Sequence, residues 1–126
     1  MPDIKKKILL VEDDKFLSEM YATKLVESGF DVETAFDGEV GLKKANDFRP
    51  DLILLDIVLP KKDGFEVLKE LKAKKELNDI FIIALTNLGQ KEEVQKGFDL
   101  GANDYIIKAH FTPTEVVAKA KKLLGI

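Results

Sequence analysis

The 126-residue chain has no cysteine, a single histidine (His110) and four prolines. The missing thiols exclude disulfide scaffolds, thiolate metal sites and cysteine nucleophiles. One imidazole excludes any centre built from several histidines. No excess of positive charge is present either: 20 Lys and Arg face 23 Asp and Glu, for a net charge of -3. A surface that binds nucleic acid by neutralising phosphates usually needs a basic domain, so direct nucleic-acid binding is not expected. Long apolar runs are also lacking. The longest, Leu52 to Leu59, is broken by Asp56 and falls far short of a membrane span. The start, Met1 to Lys7, carries charge and leads straight into a short strand-like stretch, unlike a secretory leader. The expectation is a cytoplasmic protein with no membrane partner and one domain over residues 1–126.

What is present is ordinary in amount and specific in pattern. Apolar residues make up 45% and charged residues 34% of the chain, enough for one core at this length. Five aliphatic runs stand out: Ile8 to Val11, Val32 to Ala35, Leu52 to Leu55, Phe81 to Leu85 and Tyr105 to Ile107. Four read as continuous rather than alternating, the pattern of strands covered on both faces. Between them lie helical stripes. Phe16, Leu17, Met20, Tyr21 and Leu25 follow the N-cap candidate Asp14, and Val40, Ala45 and Phe48 follow Asp37-Gly38. Phe65, Leu68 and Leu71 follow Asp63-Gly64, and Val94 and Phe98 follow Gly89. The last helix opens with Thr112-Pro113-Thr114-Glu115, a capping box with proline at the first helical position. Strand and helix thus alternate five times, which predicts an α/β fold with one doubly wound, five-stranded parallel sheet.

In open parallel sheets, ligands bind beyond the carboxyl ends of the strands. The residues closing the strands are therefore the informative ones: Glu12, Asp13 and Asp14 after the first, Asp56 at the third, Thr86 at the fourth and Lys108 at the fifth. Taken alone, Asp56 could be a strand-end aspartate capping a turn, and Thr86 a hydroxyl satisfying the sheet end. Together, clustered carboxylates repel one another and need a cation or a raised pKa. An all-oxygen set suits Mg²⁺, which takes one or two carboxylates and keeps several waters. With the Lys108 ammonium and the Thr86 hydroxyl, the set can serve a phosphoryl group, Asp56 acting as nucleophile to form an aspartyl phosphate.

These residues fall into four motifs: Ile8-Leu9-Leu10-Val11-Glu12-Asp13-Asp14; Asp51 to Asp56 with Leu59-Pro60-Lys61-Lys62-Asp63-Gly64; Ala84-Leu85-Thr86; and Gly101 to Lys108. In this order they resemble the receiver domain of bacterial response regulators, the phosphoacceptor modules of two-component signalling, over about Lys6 to Leu124. The resemblance implies a CheY-like, flavodoxin-like (βα)5 fold with strand order 2-1-3-4-5. It implies Asp56 as phosphoacceptor and Asp13 as direct Mg²⁺ ligand. Glu12 would act through water, and the backbone carbonyl of Val58 would complete the set. Thr86 becomes the switch hydroxyl, Lys108 its ionic partner, and Tyr105 an aromatic switch that turns inward when Thr86 moves. The implied partners are a sensor histidine kinase or histidine phosphotransfer protein and a downstream target or effector domain. These would meet a surface of the fourth helix, fifth strand and fifth helix that could also carry a homodimer. The only catalysis implied is the chain's own phosphorylation and dephosphorylation.

Three positions depart from the family pattern: Glu12 where aspartate is frequent, Asn87 where a small residue is usual, and Ala109 where a proline with a cis bond is typical. A cis bond before alanine costs about 2.5–4 kcal/mol, so either the loop differs here or its strain is held by packing. These departures keep open the alternative of a pseudo-receiver, a binding module that is not phosphorylated. A flavin carrier is disfavoured by the acidic first loop, which repels a phosphate. A dehalogenase-type phosphatase is disfavoured because Glu12-Asp13-Asp14 lacks that family's acid spacing. His110 is read as a surface residue, and the lysines at 5–7, 119, 121 and 122 as solvated flanks.

Overall fold

A computed structural model describes residues 5–87 and 91–126. In chain order the elements are β1 (Lys7–Val11), α1 (Lys15–Glu27), β2 (Asp31–Ala35), α2 (Gly38–Phe48) and β3 (Leu52–Asp56). Then come α3 (Gly64–Ala73), β4 (Phe81–Thr86), α4 (Lys91–Asp99), β5 (Asp104–Ile107), a 3-10 turn (Lys108–His110) and α5 (Pro113–Leu124). The strands are all parallel, in the order β2-β1-β3-β4-β5, as the resemblance implies. Gly89, read from the sequence as preceding the fourth helix, lies outside the described residues.

The helix starts follow from side-chain caps. Asp14 accepts from the amides of Phe16 and Leu17, Asp37 from Val40 and Asp63 from Glu66, each satisfying orphan first-turn donors. Thr112 and Glu115 close the reciprocal capping box of α5. Along the central strands successive side chains alternate between two apolar layers. Leu9, Val11, Ile53 and Leu55 pack with Val67, Leu68 and Leu71 of α3. Ile8, Leu10, Leu54 and Leu85 pack with Tyr21 and Leu25 of α1 and with Val116, Val117 and Ala120 of α5. A fully buried Leu or Ile contributes about 1.5–3 kcal/mol, so the central strands are the rigid platform from which the strand ends project.

One expectation needs correction, and one alternative left open by the sequence is resolved. Phe16, counted in the apolar stripe of α1, is 71% exposed, and Val40 and Phe98 are also exposed. Periodicity marks a stripe but not its flanks. Tyr21 and Leu25 face the sheet, whereas Phe16 stands in the first turn, over a surface groove with Met20 and Pro113. The backbone after β5 also differs from the family pattern. No cis peptide bond occurs among the described residues, and Lys108-Ala109-His110 forms the 3-10 turn.

Candidate functional site

Each functional side chain stands at the carboxyl edge of the sheet because its strand ends there. Asp56 closes β3 opposite Leu85, so Thr86, the next residue on β4, is its lateral neighbour. Glu12 follows β1, its amide bonding the Ala35 carbonyl of β2 at 3.0 Å, and Lys108 directly follows β5. Glu12 and Asp56 are buried carboxylates, with the buried Thr86 beside Asp56, and burial of a carboxylate requires partners.

Lys108 supplies them. Its Nζ lies 2.8 Å from Asp56 Oδ2 and 2.5 Å from Glu12 Oε1, with its side chain only 6% exposed. The second oxygens are held by backbone: Asp56 Oδ1 accepts from the Val58 amide at 3.1 Å, and Glu12 Oε2 from the Asp14 amide at 3.1 Å. Burial pushes the Glu12 carboxyl up to about 7; the Lys108 hydrogen bond opposes this, and the Asp56 charge reinforces it. Burial alone would lower the Lys108 ammonium, but its hydrogen bonds to Asp56 and Glu12 outweigh that and raise it. Tyr21, buried in the layer behind, has its phenol raised by burial and lies within the field of Lys108, Glu12 and Asp56.

Asp13 is exposed, yet one carboxylate oxygen each from Glu12, Asp13 and Asp56 can lie within 4.8 Å of the others, a separation one divalent cation can bridge. These three line an open cleft together with Asp14, Val58, Asn87 and Lys108. Asn87, which departs from the small residue usual in the family, is exposed at this rim. The loop from β3 to α3 holds the cleft in shape. Gly64 passes so close under β3 that a Cβ on it would stand 2.3 Å from the Asp56 carbonyl oxygen. Lys61, in the same loop, adopts a left-handed φ of 71°.

Tyr105 faces inward. Its ring is buried, 6.2 Å from the Phe98 ring, and its hydroxyl lies beside Thr86 without the geometry of a full hydrogen bond. Burial raises the phenol, the Glu93 charge adds to this and Thr86 opposes it. His110 is exposed in the 3-10 turn, outside the cleft. Sequence reasoning thus named every side chain of the cluster. It missed the direct Glu12–Lys108 contact and the nearness of Tyr21 to the charges of the cluster, for which no local sequence signal exists.

The sequence and the fold are similar to those of known proteins. The family model for the response regulator receiver domain matches residues 8–121. The chain is 45% identical over 121 residues to the alkaline phosphatase synthesis transcriptional regulatory protein PhoP of Bacillus subtilis, covering 94% of this chain and 48% of that protein. It is 41% identical over 118 residues to the DNA-binding dual master transcriptional regulator RpaA of a Synechocystis strain, again covering 94% and 48%. The chain therefore spans about half the length of these relatives. Among solved structures, the chemotaxis response regulator CheY4 of Vibrio cholerae superposes with a TM-score of 0.88 at 30% identity, covering 94% of this chain and 98% of that one. The Mn²⁺-bound form of the response regulator Rcp1 superposes with a TM-score of 0.81 at 31% identity, covering 92% of each. By its family match, its strand order and its strand-end cluster, the chain belongs to the receiver-domain family of two-component response regulators.

Proposed function

We propose that Asp56 accepts a phosphoryl group from the phosphohistidine of a sensor histidine kinase or histidine phosphotransfer protein. We further propose that the surface of α4, β5 and α5 then changes its affinity for a downstream target, an effector domain or a second copy of the chain. The observation that carries this reading is Lys108, seated against Asp56 at 2.8 Å although Ala109 follows it in place of proline. That contact keeps the cation beside the nucleophile, and so supports a phosphoacceptor over a pseudo-receiver.

In the transfer, an Asp56 carboxylate oxygen forms a bond to phosphorus while the donor's P–N bond breaks. The electron pair stays on the imidazole nitrogen, which takes a proton from water. An ionised carboxylate needs no general base. The Lys108 ammonium balances charge on the transferring oxygens, and the Thr86 hydroxyl donates to one of them once they are in place. Glu12, Asp13, Asp56 and the Val58 carbonyl would hold Mg²⁺, an oxygen set of the kind this ion prefers. When bound, such a cation neutralises phosphoryl oxygens. That the similar response regulator Rcp1 has a Mn²⁺-bound form supports a divalent ion as the partner of this domain. Tyr105 follows Thr86 and transmits the change to α4.

This reading expects a cytoplasmic signalling module that turns over no separate substrate. No helix among the described residues is long and apolar enough to cross a membrane. With a net charge of -3, the receiver itself has little to offer a nucleic acid. The names of the longer relatives favour transcription as the output, carried by parts other than these residues.

The test is intact mass after incubation with acetyl phosphate. One added phosphoryl group is expected with Mg²⁺, and none with EDTA or in Asp56→Ala. No adduct on the wild-type chain, together with no Mg²⁺ binding by titration, would establish the pseudo-receiver instead.

A further inference from the structure

Gly97 lies in the last turn of α4, where glycine still costs up to about 1 kcal/mol relative to alanine. A residue that weakens a nine-residue helix calls for a packing reason. Gly97 is buried, and a Cβ placed on it would stand 3.0 Å from Tyr105 Cε2 and 3.5 Å from Cδ2. Apart from the helix's own backbone and Gly97's chain neighbours, no other described atom would lie within 4 Å. The missing methyl therefore concerns a single side chain, the tyrosine whose hydroxyl stands beside Thr86.

We propose that Gly97 is a positioning residue of the switch: its absent Cβ is the slot into which the Tyr105 ring turns, so Gly97 sets the balance between inward and outward ring. The inference rests on the switch reading of Thr86 and Tyr105, but the slot can be tested with no phosphoryl group present. At 3.0 Å the Tyr105 ring must give by a few tenths of an ångström to admit the methyl, and in a packed contact that disfavours the inward ring. The α4 backbone is tied down, with the Ala102 amide donating to the Gly97 carbonyl at 3.0 Å. Tyr105 stands on β5, the edge strand, and its ring retains slight exposure, so rotation toward solvent is the freer movement. An outward ring leaves Thr86 and presents a phenol on the face between α4 and α5. Gly97→Ala thus biases the surface away from the form that an inward Tyr105 creates.

The chain has two tyrosines and no tryptophan, so 3-fluorotyrosine labelling gives two ¹⁹F resonances, which Tyr105→Phe assigns. In the unphosphorylated chain, Gly97→Ala is expected to move the Tyr105 resonance to a position broadened by a soluble gadolinium chelate. The inward fraction should fall about tenfold, the scale of an overpacked contact. The resonance of Tyr21, a core residue, should stay put and so reports an intact fold. A double-mutant cycle covers the case in which the variant folds poorly. Gly97→Ala should lower the denaturation midpoint in the wild-type background and raise it in Tyr105→Ala, where only helix propensity remains. An unmoved Tyr105 resonance, or the same stability change in both backgrounds, would overturn the proposal. Failure of the phosphoacceptor reading shows separately, as a missing mass adduct on a protein whose Gly97–Tyr105 coupling persists.

Discussion

Glu12 and Lys108 form a direct ion pair of 2.5 Å, so the first strand's acid reaches across to the fifth strand's base without an intervening water. The same ammonium holds Asp56 at 2.8 Å, and one lysine thereby links the acid that follows β1 to the acid that closes β3. Aspartate at position 12 would set its carboxylate back by about 1.5 Å, one carbon–carbon bond. We expect Glu12→Asp to lose the direct contact while keeping the negative charge. Its phosphorylation by acetyl phosphate should slow several-fold with Mg²⁺ affinity changed little. Glu12→Gln, which removes the charge, should weaken Mg²⁺ binding by about tenfold or more. Initial rates of adduct formation and a metal titration on both variants check this.

The raised Glu12 carboxyl makes a prediction about pH. Its value is about 7 in the folded chain against 4.5 ordinarily, so the folded state holds a proton that the unfolded state has released. Stability from this group is therefore full below about 4.5 and declines as pH rises toward 7, by at most about 3 kcal/mol. A divalent cation requires the ionised form and compensates its buried charge. MgCl₂ should thus raise the melting temperature more at pH 8 than at pH 6. Thermal melts at both values, with and without the salt, give the comparison; in Glu12→Gln the pH dependence of the MgCl₂ effect should flatten.

Gly64 supports Asp56 from below. With only 2.3 Å between a hypothetical Cβ and the Asp56 carbonyl oxygen, Gly64→Ala must move either α3 or the end of β3. A loss of about 2–3 kcal/mol in urea unfolding is expected, at the scale of overpacked sites. Phosphorylation should fall with it, because the nucleophile rides on the displaced segment.

Lys61 stores strain in the same loop. A non-glycine residue in the left-handed region costs roughly 1–2 kcal/mol, part of which glycine returns through the flexibility of the unfolded chain. Lys61→Gly should stabilise the protein by about 0.5–1 kcal/mol, read as a higher urea midpoint at unchanged slope.

The elements of this fold were legible because their signals are local. Asp14, Asp37, Asp63 and Thr112 each announce a helix start, and the central strands are uninterrupted aliphatic runs. The strand order was not legible from periodicity, since pairing β1 between β2 and β3 is a non-local choice; it came from the family resemblance. The site was legible because a parallel sheet carries every strand end to one edge, so Glu12, Asp56, Thr86 and Lys108 had to gather there. The Glu12–Lys108 pair depends on where the 3-10 turn after β5 leaves the lysine, which no spacing rule captures. Gly97 carries no meaning in the sequence until the ring opposite it is known. Phe16 continues a helical stripe that the sheet does not cover.

The central claim is that Asp56 carries the phosphoryl group. The most direct measurement is borohydride reduction of the phosphorylated chain followed by peptide mass mapping, which converts an aspartyl phosphate to homoserine at its own position. The account predicts homoserine at position 56 alone, formed only after incubation with Mg²⁺ and a phosphodonor. Homoserine at position 13 or 14, or reduction at no position while the phosphoryl adduct persists, would contradict it.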